Sequence, residues 1–510
     1  MNRLTLTFLI FGLGLAGPST AEQPSLGEVE FPTSCDPAVQ DRFEAGVAQL
    51  HHMMYEQARP LFEAVADADP RCAMAHWGIA MTRFQPLWHP TPEENLERGR
   101  AAVEAARSIG VATEREAGYV AAVAAFFTDP EPPAATTTAD HEARLEAWKT
   151  AQQDLHQAFP DDVDAAAFFA LSELSHAQAQ FAPQEERDFT RQRRVGELLE
   201  GYLDDHPEHP GLYHYLIHAY DNAELAHKAR EVARGYDDIA PETTHALHMP
   251  GHIFVRLGLW EENIEWNERS AEAALRDMEK DAHASAHYVH ALDYAMYGYL
   301  QLGDHDSARA TLTRIQEVDA LYPAPFAGYN AAAPQARYYL EQQKWEEAAA
   351  LEPRRPDALE WDDYPAAEAL FHYARGLGAA RSGQLDLAEV EVARIKELES
   401  RLANEGDDYW AIMTGVLGRA VDGWIVYERG DTARGLSMLS AAADLEDSME
   451  KHPITPGEVL PVRELYGELL LREGRADEAR VAFEASLQRT PNRRNALVGI
   501  ERAEKAGAAG

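Results

Sequence analysis

Apolar residues recur at intervals of three and four along most of the chain, as on one face of a helix, in stretches such as Glu93 to Ile109 and Glu185 to Tyr202. No credible alternation of apolar and polar positions, the mark of a half-buried strand, accompanies them. The pattern predicts an all-α chain. A longer period is superimposed on the helical one, in which small residues, an aromatic and a proline return at fixed offsets. Near the C-terminus the set is Gly467, Leu470, Gly474, Ala479, Phe483 and Pro491; near the N-terminus Gly46, Ala58, Phe62 and Pro70 stand at the same mutual offsets. Small residues at these places let two helices touch closely, and the proline falls after the second helix. Fainter copies pass through Gly376, Gly383 and Ala388, through Gly303 and Ala308, and through Gly423 with Gly430. Three stretches interrupt the pattern and are not expected to continue a helix. Thr128 to Asp140 is rich in Pro and Thr, Tyr322 to Pro334 alternates Pro, Ala and aromatic residues, and Glu352 to Pro365 holds three prolines.

This unit resembles the tetratricopeptide repeat (TPR), a helix-turn-helix of about 34 residues. The resemblance covers most of residues 38–508 and is best at the two ends. It implies an all-α, right-handed solenoid in which each hairpin buries its apolar face on its neighbours and the inner helices line a concave surface. In that family the surface commonly holds a peptide or partner protein, so the resemblance implies binding and no reaction. The expected organisation is a signal peptide at 1–21, a leader at 22–37, N-terminal repeats at 38–127 and a Pro/Thr-rich loop at 128–140. Central His-rich repeats at 141–318, an irregular connection with a helical hairpin at 319–365, and C-terminal repeats at 366–510 follow.

The 510 residues carry 46 Lys and Arg against 86 Asp and Glu, a net charge of −40, and 45% of them are hydrophobic. That apolar content excludes wholesale disorder. The acidity repels phosphate backbones and anionic lipid headgroups, and no basic stripe offsets it, so nucleic acid and membrane surfaces are excluded as partners. Only the last fifty residues, with nine basic and eight acidic side chains, depart from it. They form either an ordinary solvated surface or a docking end for an acidic partner.

Arg3, the apolar run Leu4 to Gly17 and the small residues Ser19-Thr-Ala21 read as a secretory signal, with cleavage expected after Ala21. Pro18 stands where a lipoprotein would carry its cysteine. The run is shorter than the roughly 20 apolar residues of a membrane span. An exported mature chain, periplasmic or secreted and without an integral membrane segment, is therefore expected. The two cysteines, Cys35 and Cys72, would meet oxidising conditions there, which predicts a disulfide stabilising the chain by about 4 kcal/mol. Two separate thiols, or a soft-metal site with Met53, Met54 and Met74, are the competing readings.

Twelve of the 21 histidines fall between His206 and His305, where an even spread would place about four. Three strings concentrate them: His214-Tyr-Leu-Ile-His218-Ala-Tyr-Asp221, His245-Ala-Leu-His248-Met-Pro-Gly-His252, and His287-Tyr-Val-His290-Ala-Leu-Asp293. Spacings of three and four put such side chains on one helical face, so His290 and Asp293, for example, are expected to project together. His214 to His248 and His218 to His252 are each 34 residues apart, one repeat, and His245 and His290 each precede a turn glycine, Gly258 or Gly303, by thirteen. Pro250-Gly251 should bend or restart the helix beside them.

Imidazole and carboxylate supplied in pairs from neighbouring helices can build a divalent metal site, for zinc or copper in first place and iron or manganese in second. Met249 is a weak pointer to copper. Seven histidines and two aspartates exceed one ion's needs, which leaves some as orienting groups, structural groups or ligands of a second ion. Three readings stand side by side: satisfied hydrogen-bond partners between repeats, a metal site, and a metal-free acid-base or ligand site. There is no His-Glu-x-x-His, no Gly-rich phosphate loop and no Gly-x-Ser-x-Gly. The sequence thus points first to a binding module for a protein, peptide or small ligand with a His-rich concave face. The alternative is a metalloprotein, of which a metal-dependent hydrolase is one form. His51-His52-Met53-Met54 resembles a copper-binding string, but adjacent residues on a helix point apart. Trp88-His89-Pro90 reads as a turn and Phe371-His372-Tyr373 as packing between repeats.

Overall fold

Helices form where the three-and-four spacing asks for them, and in the computed structural model they pair into hairpins from end to end. The structure describes residues 25–87, 90–134, 137–176, 188–279, 281–324 and 326–509. The expected signal segment 1–21 and the pair Trp88-His89 lie outside the described residues. The first hairpins are α1 (Gln40–His51) with α2 (Tyr55–Ala68), α3 (Ala73–Met81) with α4 (Glu93–Ile109), α5 (Glu114–Phe127) with α6 (Thr137–Ala158), and α7 (Val163–Ser175) with α8 (Thr190–Glu200). Next come α9 (Pro210–Tyr220) with α10 (Arg230–Ile239), then a broken inner helix, α11 (Thr244–His248) and α12 (Pro250–Leu257), with α13 (Trp260–Asp277). α14 (Ala284–Leu302) pairs with α15 (His305–Gln316), α16 (Ala327–Leu340) with α17 (Trp345–Ala349), and α18 (Pro365–Arg381) with α19 (Leu385–Glu405). α20 (Asp408–Glu428) with α21 (Thr432–Ser448), α22 (Val462–Arg472) with α23 (Ala476–Arg489), and the single α24 (Arg494–Ala509) complete the array. No strand occurs among the described residues, and none of their helices is long and apolar enough to cross a membrane.

The repeat signature has a steric cause. Phe62 on α2 lies against Gly46 of its own hairpin and Gly78 of the next, where added Cβ atoms would come within 2.8 and 2.3 Å of the ring. In the last repeat Phe483 stands in the same way between Gly467 and Gly499, at 2.8 and 2.6 Å. The glycine-aromatic spacing is thus the contact that stacks one hairpin on the next. The chain is an all-α solenoid of stacked helical hairpins.

Two stretches expected to stay irregular are partly helical. α16 runs straight through Pro334, and α6 begins at Thr137 inside the Pro/Thr-rich stretch. A proline inside a helix removes a backbone donor and costs about 3 kcal/mol. In α16 it is embedded among Ala331, Ala332 and Ala333, and nearly the whole helix is buried, so packing outweighs the local preference.

The array closes on itself twice. At the N-terminal end α1 packs on α9, and the leader is tied in by the Cys35–Cys72 disulfide at the start of α3 and by the Glu28 N–H donating to the Glu208 carbonyl at 2.9 Å. At the other end the segment joining α21 to α22 lies across the inner helices. Tyr294 donates to the Pro453 carbonyl at 2.7 Å, Arg337 to that of Gly457 at 3.1 Å and Tyr373 to that of Leu460 at 3.2 Å. The concave face is therefore a chamber covered by the chain's own return segment.

Candidate metal centre

The broken helix α11–α12 carries the centre. Pro250 has no N–H to continue α11, so a new helix begins at it, and His248 closes one helix while His252 stands in the first turn of the other. Their Nε2 atoms face each other at 3.0 Å. Gly251 supplies the second requirement. A Cβ there would stand 2.4 Å from the Asn267 amide nitrogen, so the missing side chain is what lets Asn267 of α13 approach.

The tautomers of this pair follow from its partners. Asn267 Nδ2 donates to the Asn263 carbonyl at 2.8 Å and to Asn263 Oδ1 at 3.0 Å, which turns Asn267 Oδ1 toward His248. His248 Nδ1 donates to that oxygen at 2.7 Å. His252 Nδ1 donates to Asp221 Oδ2 at 2.9 Å. Against the penalty of burial, Lys451, Arg256 and His252 hold Asp221 well below the usual carboxylate range, so it accepts and does not donate. Both imidazoles therefore carry their proton on Nδ1, and two Nε2 lone pairs point at each other. A shared proton or a metal ion lying off the line between them would relieve that opposition. With metal–nitrogen bonds of about 2.0–2.1 Å, ligand nitrogens stand about 2.9–3.4 Å apart in octahedral to tetrahedral geometry, which brackets the observed separation.

His290 of α14 completes a trio. Its ring centroid is 4.2 Å from that of His248, Asn330 is its side-chain hydrogen-bonding neighbour, and ligand atoms of His248, His252 and His290 all lie within 4.8 Å of one another. A second trio of the same kind, His214, His218 and His245, stands beside it, with His214 and His218 presenting Nε2 atoms 3.1 Å apart. Burial lowers all six imidazoles, His218 and His290 to about 3, which keeps the rings in the neutral form that binds metals.

The other sequence candidates are placed differently. Asp221 orients His252 and is itself held by Arg256 Nε at 2.9 Å. His287 packs edge-on against His245 at 5.8 Å and belongs to neither trio. Asp293, expected to project with His290, instead pairs with the fully buried Arg337 of α16. α12 and α14 both end on left-handed glycines, Gly258 and Gly303, as the count of thirteen suggested, yet the break at Pro250 makes His248 the neighbour of His290 and leaves His245 beside His287.

Both trios open on one cavity of about 680 Å³. His218, His245, His252 and His290 line it together with Phe326, Tyr329, Tyr364 and Trp410, with Asp363, Glu405 and Asp407 also on the lining. His452 of the return segment lies tilted against Trp410, ring centroids 5.1 Å apart, and also lines the chamber.

No family model matches the sequence, and no curated protein matches it. Among solved structures the chain is similar to yeast Tom70 at 12% identity, over 92% of this chain and 96% of that one, with a TM-score of 0.36. The APC/C hetero-tetramer Cut9–Hcn1 is similar at 11% identity, over 91% and 96%, with a TM-score of 0.29. Scores this low carry no argument, and the repeat architecture rests on the chain's own hairpins.

Several groups at the site gave no signal in the sequence. Asn267, Arg256, Lys451 and Trp410 belong to no short-spaced motif. A third group, His51, Asp164 and His209, is assembled from three distant helical segments: His51 Nε2 meets Asp164 Oδ1 at 2.9 Å, and His209 Nε2 meets the same oxygen at 3.3 Å. The string His51-His52-Met53-Met54 does point apart, since His52 turns instead to Tyr236 at 2.8 Å and the two methionines line a separate cavity of about 330 Å³. His372 is held by Glu391 at 2.6 Å and Glu368 at 3.3 Å.

Proposed function

We propose that the protein is an exported metalloprotein that binds zinc or copper through His248, His252 and His290 and holds a small, largely apolar ligand in the adjoining chamber. The observation that carries this is the pair of Nε2 lone pairs fixed 3.0 Å apart by Asn267 and Asp221. An all-imidazole set suits these two ions better than the carboxylate-preferring manganese. Three protein ligands leave a coordination position toward the chamber, as in catalytic sites, where a bound metal supplies Lewis-acid chemistry. Residues of this chain supply the rest: Asp221 and Asn267 orient the imidazoles, and Phe326, Tyr329, Tyr364 and Trp410 give the ligand an apolar wall. The covered concave face favours a small ligand over a long peptide. Export is supported by the Cys35–Cys72 disulfide, which persists in oxidising compartments.

Elemental analysis of untagged protein purified without chelator is the test. Zinc or copper of which one equivalent is lost in a still-folded His248→Ala, His252→Ala variant is expected. Wild-type protein that stays metal-free after incubation with either ion would remove the proposal.

A second reading, a protein- or peptide-binding solenoid, is favoured by the last repeat. Val481, Leu497 and Val498 are exposed there, in the stretch where the acidity of the chain gives way to near balance. Crosslinking to a partner that is lost with Val481→Ser and Leu497→Ser would establish it.

A further inference from the structure

We infer that His214, His218 and His245 form a second metal site in the same chamber, braced from behind by the His51–Asp164–His209 group. This extends the chamber reading above, yet the two sites are built from different residues and can fail separately.

The bracing is what distinguishes this trio from histidines that only fill space. His214 Nδ1 donates to the His51 backbone carbonyl at 2.6 Å, so the proton of His214 lies on Nδ1 and its Nε2 lone pair is aimed at His218 Nε2, 3.1 Å away. The carbonyl is at the last residue of α1, where a helix leaves its acceptors without intrahelical partners. Its position is fixed through the His51 ring, which is held at Nε2 by Asp164 at 2.9 Å and at Nδ1 by Tyr215 at 3.1 Å. Gly211 makes room for that ring, since a Cβ would come within 2.6 Å of His51 Nδ1. An outer shell that fixes tautomer and orientation in this way is the usual companion of a metal-binding histidine. It also gives a role to a buried group that the first site does not use.

The third imidazole, His245, has its ring centroid 5.0 Å from that of His214, and ligand atoms of all three residues lie within 4.8 Å of one another. His218 and His245 line the 680 Å³ cavity, as do His252 and His290 of the first trio, so one bound molecule can reach both. No carboxylate belongs to either trio. Three neutral nitrogen donors without a compensating anion suit zinc or copper again.

The test is the metal-to-protein ratio of the untagged full chain after dialysis against zinc or cupric ion and removal of loose metal. Wild type is expected to hold two ions, His218→Ala one, and the His248→Ala, His252→Ala double variant one. His218 is chosen because it is only half-buried, and a matched unfolding midpoint shows that the variant is folded. His214→Gln, which keeps a polar side chain in the buried place, should also hold one. A wild-type ratio of one that His218→Ala and His214→Gln leave unchanged would overturn the inference and leave the first site standing. A ratio of one that only these two variants abolish would confirm the second site and remove the first. A ratio of zero removes both.

Discussion

The two closures of the array bury polar groups in opposite ways. At the C-terminal closure the centre is Arg493, fully buried, which donates from Nε to Glu464 at 2.6 Å, from Nη2 to Glu341 at 2.6 Å and from Nη1 to the Tyr297 hydroxyl at 2.7 Å. The charge at that hub is met by carboxylates of the chain itself. In the central repeats six imidazoles meet with a single carboxylate, Asp221, hydrogen-bonded to one of them, and two Nε2 atoms stand face to face. The first interior is complete as folded. On the reading proposed above, the second is completed by a cation, for which Asn267 and Asp221 hold the imidazoles in place.

The comparison can be broken from either side. The largest effect is expected for Arg493→Ala, which strands two buried carboxylates and should destabilise the fold by up to about 5 kcal/mol in urea unfolding. Replacing both Cys35 and Cys72 by Ala should cost about 4 kcal/mol, because the N-terminal closure is stapled covalently where the other is held by charge. Chelation should cost about 3 kcal/mol for each bound ion, the amount returned by an ion present at about 100 times its dissociation constant, so the His248→Ala, His252→Ala variant, left with the second site alone, should lose about half as much as wild type. Equal shifts in both proteins would sink the contrast. Asn267→Ala, which frees the His248 ring to turn, should weaken the metal by about 10–100-fold in a competition titration while leaving the Arg493 hub untouched.

The smallest effect concerns His372, outside both interiors. Burial works against its charge, but hydrogen bonds to Glu368 and Glu391 raise its pKa above the ordinary value. A histidine raised in the folded state adds stability that is full below the unfolded value and is lost as pH rises through the folded one. The slope of stability with pH just above 6.5 should therefore flatten in His372→Gln.

How much of this was legible follows from the distance over which each contact acts. The hairpin period could be read because Phe62 and Phe483 touch glycines within one repeat, and the break at α11–α12 could be read from Pro250 alone. The clustering of histidines was visible for the same reason. Asp293 was misplaced because an offset of three still leaves side chains about 60° apart around a helix, enough for His290 to face α12 while Asp293 faces α16. Asn267, Asp164 and Arg493 act across tens to hundreds of residues, and no spacing along the chain announces such partners.

The way the return segment is laid in sets the order in which the molecule can be made. Repeat arrays ordinarily assemble by nearest-neighbour addition and fray from their ends. Here Arg493 reaches Tyr297 and Glu341, so the last hairpin is in contact with parts of the chain synthesised long before it. Non-local contacts of that span slow folding and couple distant repeats into one cooperative unit. The chamber is not walled in until His452, Pro453 and Ile454 of the return segment are in place, so whatever fills it has to arrive after the repeats that hold the histidines have been made.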